Sequence, residues 1–172
     1  MESLKKSERM QNWRIVRFND LTARDVHDIY QARIEVFVLE QNCPFQDVDG
    51  ADPACWHLFT RQELGSDPLL SNKGSDPNSF PIAAYCRIVP PGIKFAEPSI
   101  GRVLTTNAAR GTGLGRVLMG EAVARTKALW PKEAIRIGAQ ARLEKFYNDF
   151  GFEKASDMYM EDGIPHIEMV RP

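Results

Sequence analysis

The stretch from 99 to 119, SIGRVLTTNAARGTGLGRVLM, constrains this chain more than any other. A strand-like run, SIGRVLT, leads through Gly111, Gly113 and Gly115 into a segment where Leu114, Val117, Leu118, Val123 and Leu129 recur at helical spacing. The spacing predicts a strand over 99–105, a tight turn, and a helix over 113–129. Glycine removes the Cβ atoms that would hold an anion away from the backbone. A helix start presents unpaired N–H groups and the positive end of its dipole. The turn therefore reads as a phosphate cradle, or as a strand–helix turn with no ligand. Two familiar nucleotide motifs do not fit it. A Walker A loop would end in Gly-Lys-Ser/Thr, but Gly115 is followed by Arg116 and Val117. A dinucleotide fingerprint would place a glycine at Arg116 and an acid after the next strand, where Gln140 stands.

The rest of the chain supplies the elements around that turn. WRIVRF (13–18) predicts a strand. Residues 19–41 predict a helix, with Thr22 and Asp25 as an N-cap pair and Val26, Ile29, Tyr30, Ile34 and Phe37 on one face. CWHLFTR (55–61) and IAAYCRIV (82–89) predict strands, and the Ser-, Asp-, Pro- and Gly-rich 62–80 an exposed flexible connection. AIRIGA (134–139) predicts a strand, and ARLEKFYNDFG a short helix ending at Gly151. DMYME and HIEMVR give weaker strand signals around EDGIP. The order β-α-β-β-β-α-β-α-β-β implies an α/β (α+β) domain, a mixed sheet with helices packed on it.

A length of 172 residues suits one domain, expected over 13–172 behind a polar leader, 1–12, expected to be disordered. The formal charge of -1 leaves no nucleic-acid footprint. No apolar run approaches the roughly 18 residues of a membrane span, so no membrane partner is expected. The start of the chain lacks an apolar signal core. Cys43, Cys55 and Cys86, an odd number without tight pairing, fit a reducing compartment and a cytoplasmic protein.

Arg110, Gly113 and Gly115 form the pattern Arg/Gln-x-x-Gly-x-Gly/Ala after a strand and at a helix start. This resembles the coenzyme A pyrophosphate loop of the GNAT superfamily of N-acetyltransferases. The element order is similar over nearly the whole chain. FVLEQNCPFQDVDGAD (37–52), IGRVLTTNAARGTGLG (100–115), AQARLEKFYNDFGF (139–152) and EDGIPH (161–166) resemble the ElaA-like branch of that superfamily. The resemblance implies a central sheet splayed at the cofactor site with flanking helices. It also implies acetyl-CoA as cosubstrate and no metal.

Carried over residue by residue, the likeness implies that Val103, Leu104 and Thr105 pair with the pantetheine arm as an added strand would. The pyrophosphate would sit on the backbone of Gly111, Thr112, Gly113, Leu114, Gly115 and Arg116. Arg110 would point into the loop or staple it. Gln140 would lie beside the arm. Tyr147, which shares a helix face with Leu143, Phe146 and Phe150, matches the family's proton donor to the departing thiolate. With a tyrosine near 10 and a thiol near 8.5, full transfer is uphill by about 2 kcal/mol, so a hydrogen bond to the developing thiolate is the larger effect.

The attacking amine must first lose a proton. That costs roughly 4.6 kcal/mol at pH 7 for a lysine-like amine and about 1 kcal/mol for an α-amine. Many relatives carry a glutamate at the start of the strand before the loop, but here that place holds Ser99, Ile100, Gly101 and Arg102. The base candidates are therefore Glu40, His57 and His166. Asp47, Asp49 and Asp52 read as an acceptor-site wall attractive to a cationic amine, or as a solvated acidic turn. The EF-hand pattern fails at Asp52 and Leu58. Cys55, His57, Cys86 and His166 lack zinc spacing. The 40–57 segment and the EDGIPH turn are expected to build the acceptor pocket. The function implied is acyl-CoA-dependent N-acetyl transfer to a small-molecule or peptide amine, with a homodimer compatible with it. The other reading is a non-catalytic acyl-CoA-binding domain on the same fold.

Overall fold

The computed structural model describes residues 12–62 and 81–172. The leader expected over 1–12 and the connection expected over 62–80 fall outside these residues, apart from one terminal residue of each.

β3 (Ile82–Val89) is apolar at nearly every position, and all of it is buried. Such a strand must be covered on both faces. It lies inside a four-stranded sheet of order β1–β2–β3–β4, with β1 (Arg14–Arg17), β2 (Trp56–Arg61) and β4 (Ser99–Thr105), every neighbour antiparallel. A second antiparallel sheet holds β5 (Ile135–Gln140), β6 (Glu153–Lys154), β7 (Tyr159–Glu161) and β8 (Ile164–Arg171), with β8 pairing to the other three. The two-residue β6 is too short to leave a period in the sequence.

The single mixed sheet expected from the pattern is thus split between β4 and β5. These strands start side by side, where the Arg136 N–H donates to Pro98 O at 3.1 Å. Further along, both line the same cleft. They run in one direction, the parallel step between two antiparallel sheets, and they are splayed.

α1 (Ala23–Arg33) opens with the capping box expected at Thr22 and Asp25: the Asp25 N–H donates to Thr22 Oγ1 at 3.1 Å and the Thr22 N–H to the Asp25 carboxylate at 3.2 Å. It continues into a π-helical turn over Ile34–Leu39. The wider turn shifts the phase of the inner face. Ile34, expected inside, is 42% exposed, and Val36 is buried instead. Ile29, Ala32 and Val36 pack on Phe59, Ile82, Tyr85 and Leu104.

α2 (Leu114–Leu129) covers the other face, with Leu114, Leu118, Met119 and Ala122 joining one core with Leu58, Cys86, Ile88, Ile135 and Ile137. Val117, expected in that face, is half exposed because Met119 and Ala122 take the inward places. α3 (Glu144–Asn148) is followed by Gly151 at φ +81°, the predicted left-handed stop.

Candidate active site

The splay between β4 and β5 opens a cleft of about 610 Å³. One wall is β4, from Ile100 to Thr105, and the facing wall carries Gly138 and Gln140 of β5 with Tyr147 of α3. Glu40, Gln41, Cys43 and Phe45 close one side, and Glu161, Asp162 and His166 of the β7–β8 hairpin another. β4 is bulged here. Its register with β3 passes from Tyr85 opposite Leu104 to Arg87 opposite Gly101, and Arg102 adopts φ +54°. The bulge twists the strand, and because β4 is the last strand of its sheet, Val103, Leu104 and Thr105 present a free strand edge to the cleft.

At the mouth, Gly111 and Gly113 hold φ +76° and +85°, conformations that any side chain would strain. Gly113 caps α2. The N–H groups of Gly111, Thr112 and Gly113 have no acceptor among the described residues. Leu114 N–H meets Thr112 Oγ1 at 3.4 Å, and Arg116 N–H is committed to Gly113 O at 3.0 Å. The side chain of Arg116 turns away to Asp149 at 2.6 Å, between Phe146 and Phe150. Residues 111–116 form the rim beyond Arg110 and do not line the cleft itself.

Arg110 has the stapling geometry. Its Nε–H donates to Thr105 O at 3.2 Å and its Nη2 to Glu40 Oε2 at 2.6 Å. Gln140 donates to Gln41 Oε1 at 3.1 Å and accepts from Arg142 at 2.9 Å. Tyr147 is 8% exposed, packed edge-on against Phe146 and Phe152, and its hydroxyl has no hydrogen bond among the described residues. Burial pushes it up to about 12. A phenol so placed stays protonated across the physiological range and holds a free donor in the cleft.

The three base candidates separate. His57 is a correction. It is fully buried, does not line the cleft, and is satisfied on both sides: Nε2 lies 3.2 Å from Asp52 O, which can only accept, so Nδ1 accepts from the Tyr85 hydroxyl at 2.9 Å. Burial lowers its pKa. Glu40 lines the cleft but is engaged with Arg110. His166 lines the cleft too, with Nδ1 at 2.8 Å from Ile164 O and its ring stacked on Tyr159. A carbonyl fixes the proton on Nδ1, which leaves the Nε2 lone pair free in the neutral ring.

The acidic wall is also corrected. Asp47 and Asp52 are buried, and neither they nor Asp49 lines the cleft. The three are neutralised by three arginines, Arg33, Arg87 and Arg102, which the sequence does not mark as their partners. Arg33 binds Asp47 Oδ2 and Asp52 Oδ1, each at 2.8 Å. Arg87 binds Asp49 at 2.6 Å and Asp52 at 2.8 Å. Arg102 binds Asp47 at 2.7 Å. Burial raises the Asp49 carboxyl, but the hydrogen bonds and charge of Arg87 outweigh it and hold Asp49 down at about 2. The signal for this cluster was in view: Arg33 falls in the inner phase of α1, and Arg87 interrupts the apolar IAAYCRIV. From the 40–57 segment it is Glu40, Gln41, Cys43 and Phe45 that reach the cleft, and Cys43 Sγ donates to Asp162 O at 3.4 Å, tying the two acceptor-side segments together.

Among the described residues no cluster of three or more His, Cys, Asp or Glu could hold a metal, and no helix is long and apolar enough to cross a membrane.

Residues 91–171 match the profile described as Acetyltransferase (GNAT) domain. A UPF0039 protein of Synechocystis is 39% identical over 159 residues, covering 92% of this chain and 94% of its own. The crystal structure of an acyl-CoA N-acyltransferase from Pseudomonas aeruginosa superposes with a TM-score of 0.81 at 35% identity, over 94% of this chain and 99% of that one. Escherichia coli ElaA superposes with a TM-score of 0.78 at 33% identity, over 95% and 100%.

Proposed function

The chain belongs to the GNAT acetyltransferase family, with ElaA among its relatives, and from that premise we propose that it transfers acetyl from acetyl-CoA to a primary amine by direct attack in a ternary complex. The observation that carries this reading is the splayed β4–β5 cleft with the unpartnered Tyr147 hydroxyl inside it and the unpaired N–H groups of 111–113 at its rim.

The residues fit the cosubstrate. The backbone donors at the start of α2 suit a pyrophosphate, and the open edge of β4 at Val103, Leu104 and Thr105 suits an amide-bearing arm. Acetyl-CoA would supply the activated thioester; the chain supplies position, donors and a base. Holding amine and thioester together removes much of the entropic barrier. His166 takes the base role, since it lines the cleft and its Nδ1, not its Nε2, is engaged by a backbone carbonyl. The amine nitrogen bonds to the acyl carbon and loses one proton, while the C–S bond breaks and sulfur leaves with the electron pair. Tyr147 meets that sulfur as a hydrogen-bond donor. With its hydroxyl raised to about 12, complete transfer to a thiolate is uphill by about 5 kcal/mol, so donation without transfer is its contribution. Three free, buried thiols support a reducing, cytoplasmic setting.

The test is thiol release from acetyl-CoA on a panel of amines, beside calorimetric binding of coenzyme A. Amine-dependent release supports transfer. Binding without release on any amine overturns it in favour of an acyl-CoA-binding domain.

A further inference from the structure

A second hollow, of about 80 Å³, adjoins the cleft nearer the starts of β4 and β5. It shares Ile100 to Arg102, Gly138, Glu161 and His166 with the cleft and adds Arg87, Val89, Lys94 and Ser99. Two glycines make the space. Gly101 stands opposite Arg87 in the β3–β4 register, and a Cβ there would meet nothing within 4 Å. At Gly138 a Cβ would come within 3.2 Å of the Tyr159 hydroxyl and 3.6 Å of Lys94 Nζ.

Donors are left over in this hollow. Arg87 is 4% exposed; its Nη atoms hold Asp49 and Asp52, but its buried Nε has no acceptor among the described residues. Buried N–H groups are nearly always satisfied, so this one, on a residue that lines the hollow, marks a donor still short of an acceptor. Ser99 is 2% exposed, and its hydroxyl donates to no described residue. Lys94 has no carboxylate partner among the described residues; its ammonium lies 5.5 Å from the centre of the Phe95 ring. The charges of Arg87 and Arg102 are offset by Asp49, Asp52 and Asp47. That leaves Lys94 to balance one negative charge. Glu161 and His166 stand where the hollow joins the cleft, suited to the opposite charge of an amine.

We propose that the acceptor is a small amine that also carries a carboxylate, an amino-acid-like zwitterion, and that this hollow takes the carboxylate through Arg87 Nε–H, the Ser99 hydroxyl and Lys94. The proposal rests on the acyltransferase reading above. It gives the amine an anchor on the acceptor side of the splay, with the nitrogen directed toward His166 and the cleft. An internal lysine of a protein has no free carboxylate beside its amine to place in this hollow of about 80 Å³.

The experiment compares free amino acids with their amides and with the corresponding decarboxylated amines, by thiol release from acetyl-CoA, with coenzyme A binding measured separately. The free acids are expected to exceed both counterparts in kcat/KM by about 10- to 100-fold, the range for a hydrogen bond to a charged group. Lys94→Met should erase most of that preference through KM, with coenzyme A affinity unchanged, and Lys94→Arg should restore part of it. Amides or decarboxylated amines accepted as well as the acids would overturn the proposal while leaving acetyl transfer intact. If no amine turns over, N-acetyl amino acids and their amides serve as binding probes in calorimetry: tighter binding of the acids that Lys94→Met abolishes supports the hollow, and equal or absent binding overturns it.

Discussion

The ionic cluster under the 47–52 loop and the polar face of the cleft are built from the same side chains, yet they do opposite things. In the cluster, Arg33, Arg87 and Arg102 meet Asp47, Asp49 and Asp52, and most of these groups are buried. In the cleft, Glu40, Arg110, Glu161 and His166 remain within reach of a ligand. Charges that answer one another in a dry interior fix a loop. Charges that keep a free valence can act on a visitor. The charge on a residue does not say which; the partner does.

The comparison can be broken first at Arg33, whose side chain is 0% exposed. Arg33→Met would leave Asp47 and Asp52 short of a counter-charge. A loss of about 3–5 kcal/mol is expected in denaturant unfolding, with the loop displaced. A change below about 1 kcal/mol would mean the cluster is dispensable. The cleft should respond in the reverse sense. Tyr147→Phe is expected to lower kcat by about 10- to 1000-fold with little change in melting temperature, since the hydroxyl has no partner to lose among the described residues. A drop in stability with unchanged turnover would move Tyr147 into the core.

Gly113→Ala places a side chain at φ +85°, at a cost of about 1–2 kcal/mol if the turn is retained. Its Cβ would meet nothing within 4 Å in the protein. Weakened coenzyme A binding in a folded variant would therefore come from the conformation of the loop or from the ligand, and calorimetry reads it. Acid sharpens the contrast. Asp49 titrates at about 2 when folded against 3.8 ordinarily, so its contribution is complete above 3.8 and fades as pH falls toward 2. Asp49→Asn should flatten the acid limb of a stability–pH curve. The smallest effect is expected at Glu40→Gln. The Glu40–Arg110 pair is partly exposed on both sides, at 33% and 42%, and pairs of this kind contribute about 0–1 kcal/mol. Salt should erase what difference remains.

Much of the fold was legible because periodicity reports burial. The alternating and all-apolar strands, the Thr22 cap, the glycine turn before α2 and the stop at Gly151 each follow from a local rule that the structure obeys. Ile34 and Val117 were misjudged because a π-helical turn and a neighbouring methionine reassign the inner face, and neither leaves a periodic trace. In the site, Tyr147, Gln140, Arg110, Glu40 and His166 do converge on one cleft. His57 and the three aspartates do not. Their roles depend on Tyr85, Arg33, Arg87 and Arg102, residues far away in the chain, and a spacing rule sees only near neighbours. The hollow beside Lys94 and Ser99 leaves no trace in the sequence for the same reason: two glycines on different strands create the space.

The backbone bond between Arg136 and Pro98 gives the molecule a mechanical character. It works as the pivot of a pair of tongs whose arms are β4 and β5. The β5 arm, from Ile135 to Gln140, is roughly 17 Å long at the usual rise of a strand. A turn of about 5° at the pivot therefore moves the tip by about 1.5 Å, while Arg136 keeps its grip on Glu97 and Glu168 at the base. Width at the tips is thus the dimension most amplified by movement at the pivot, and the Gln41–Gln140 contact is a catch that widening at that end would have to release.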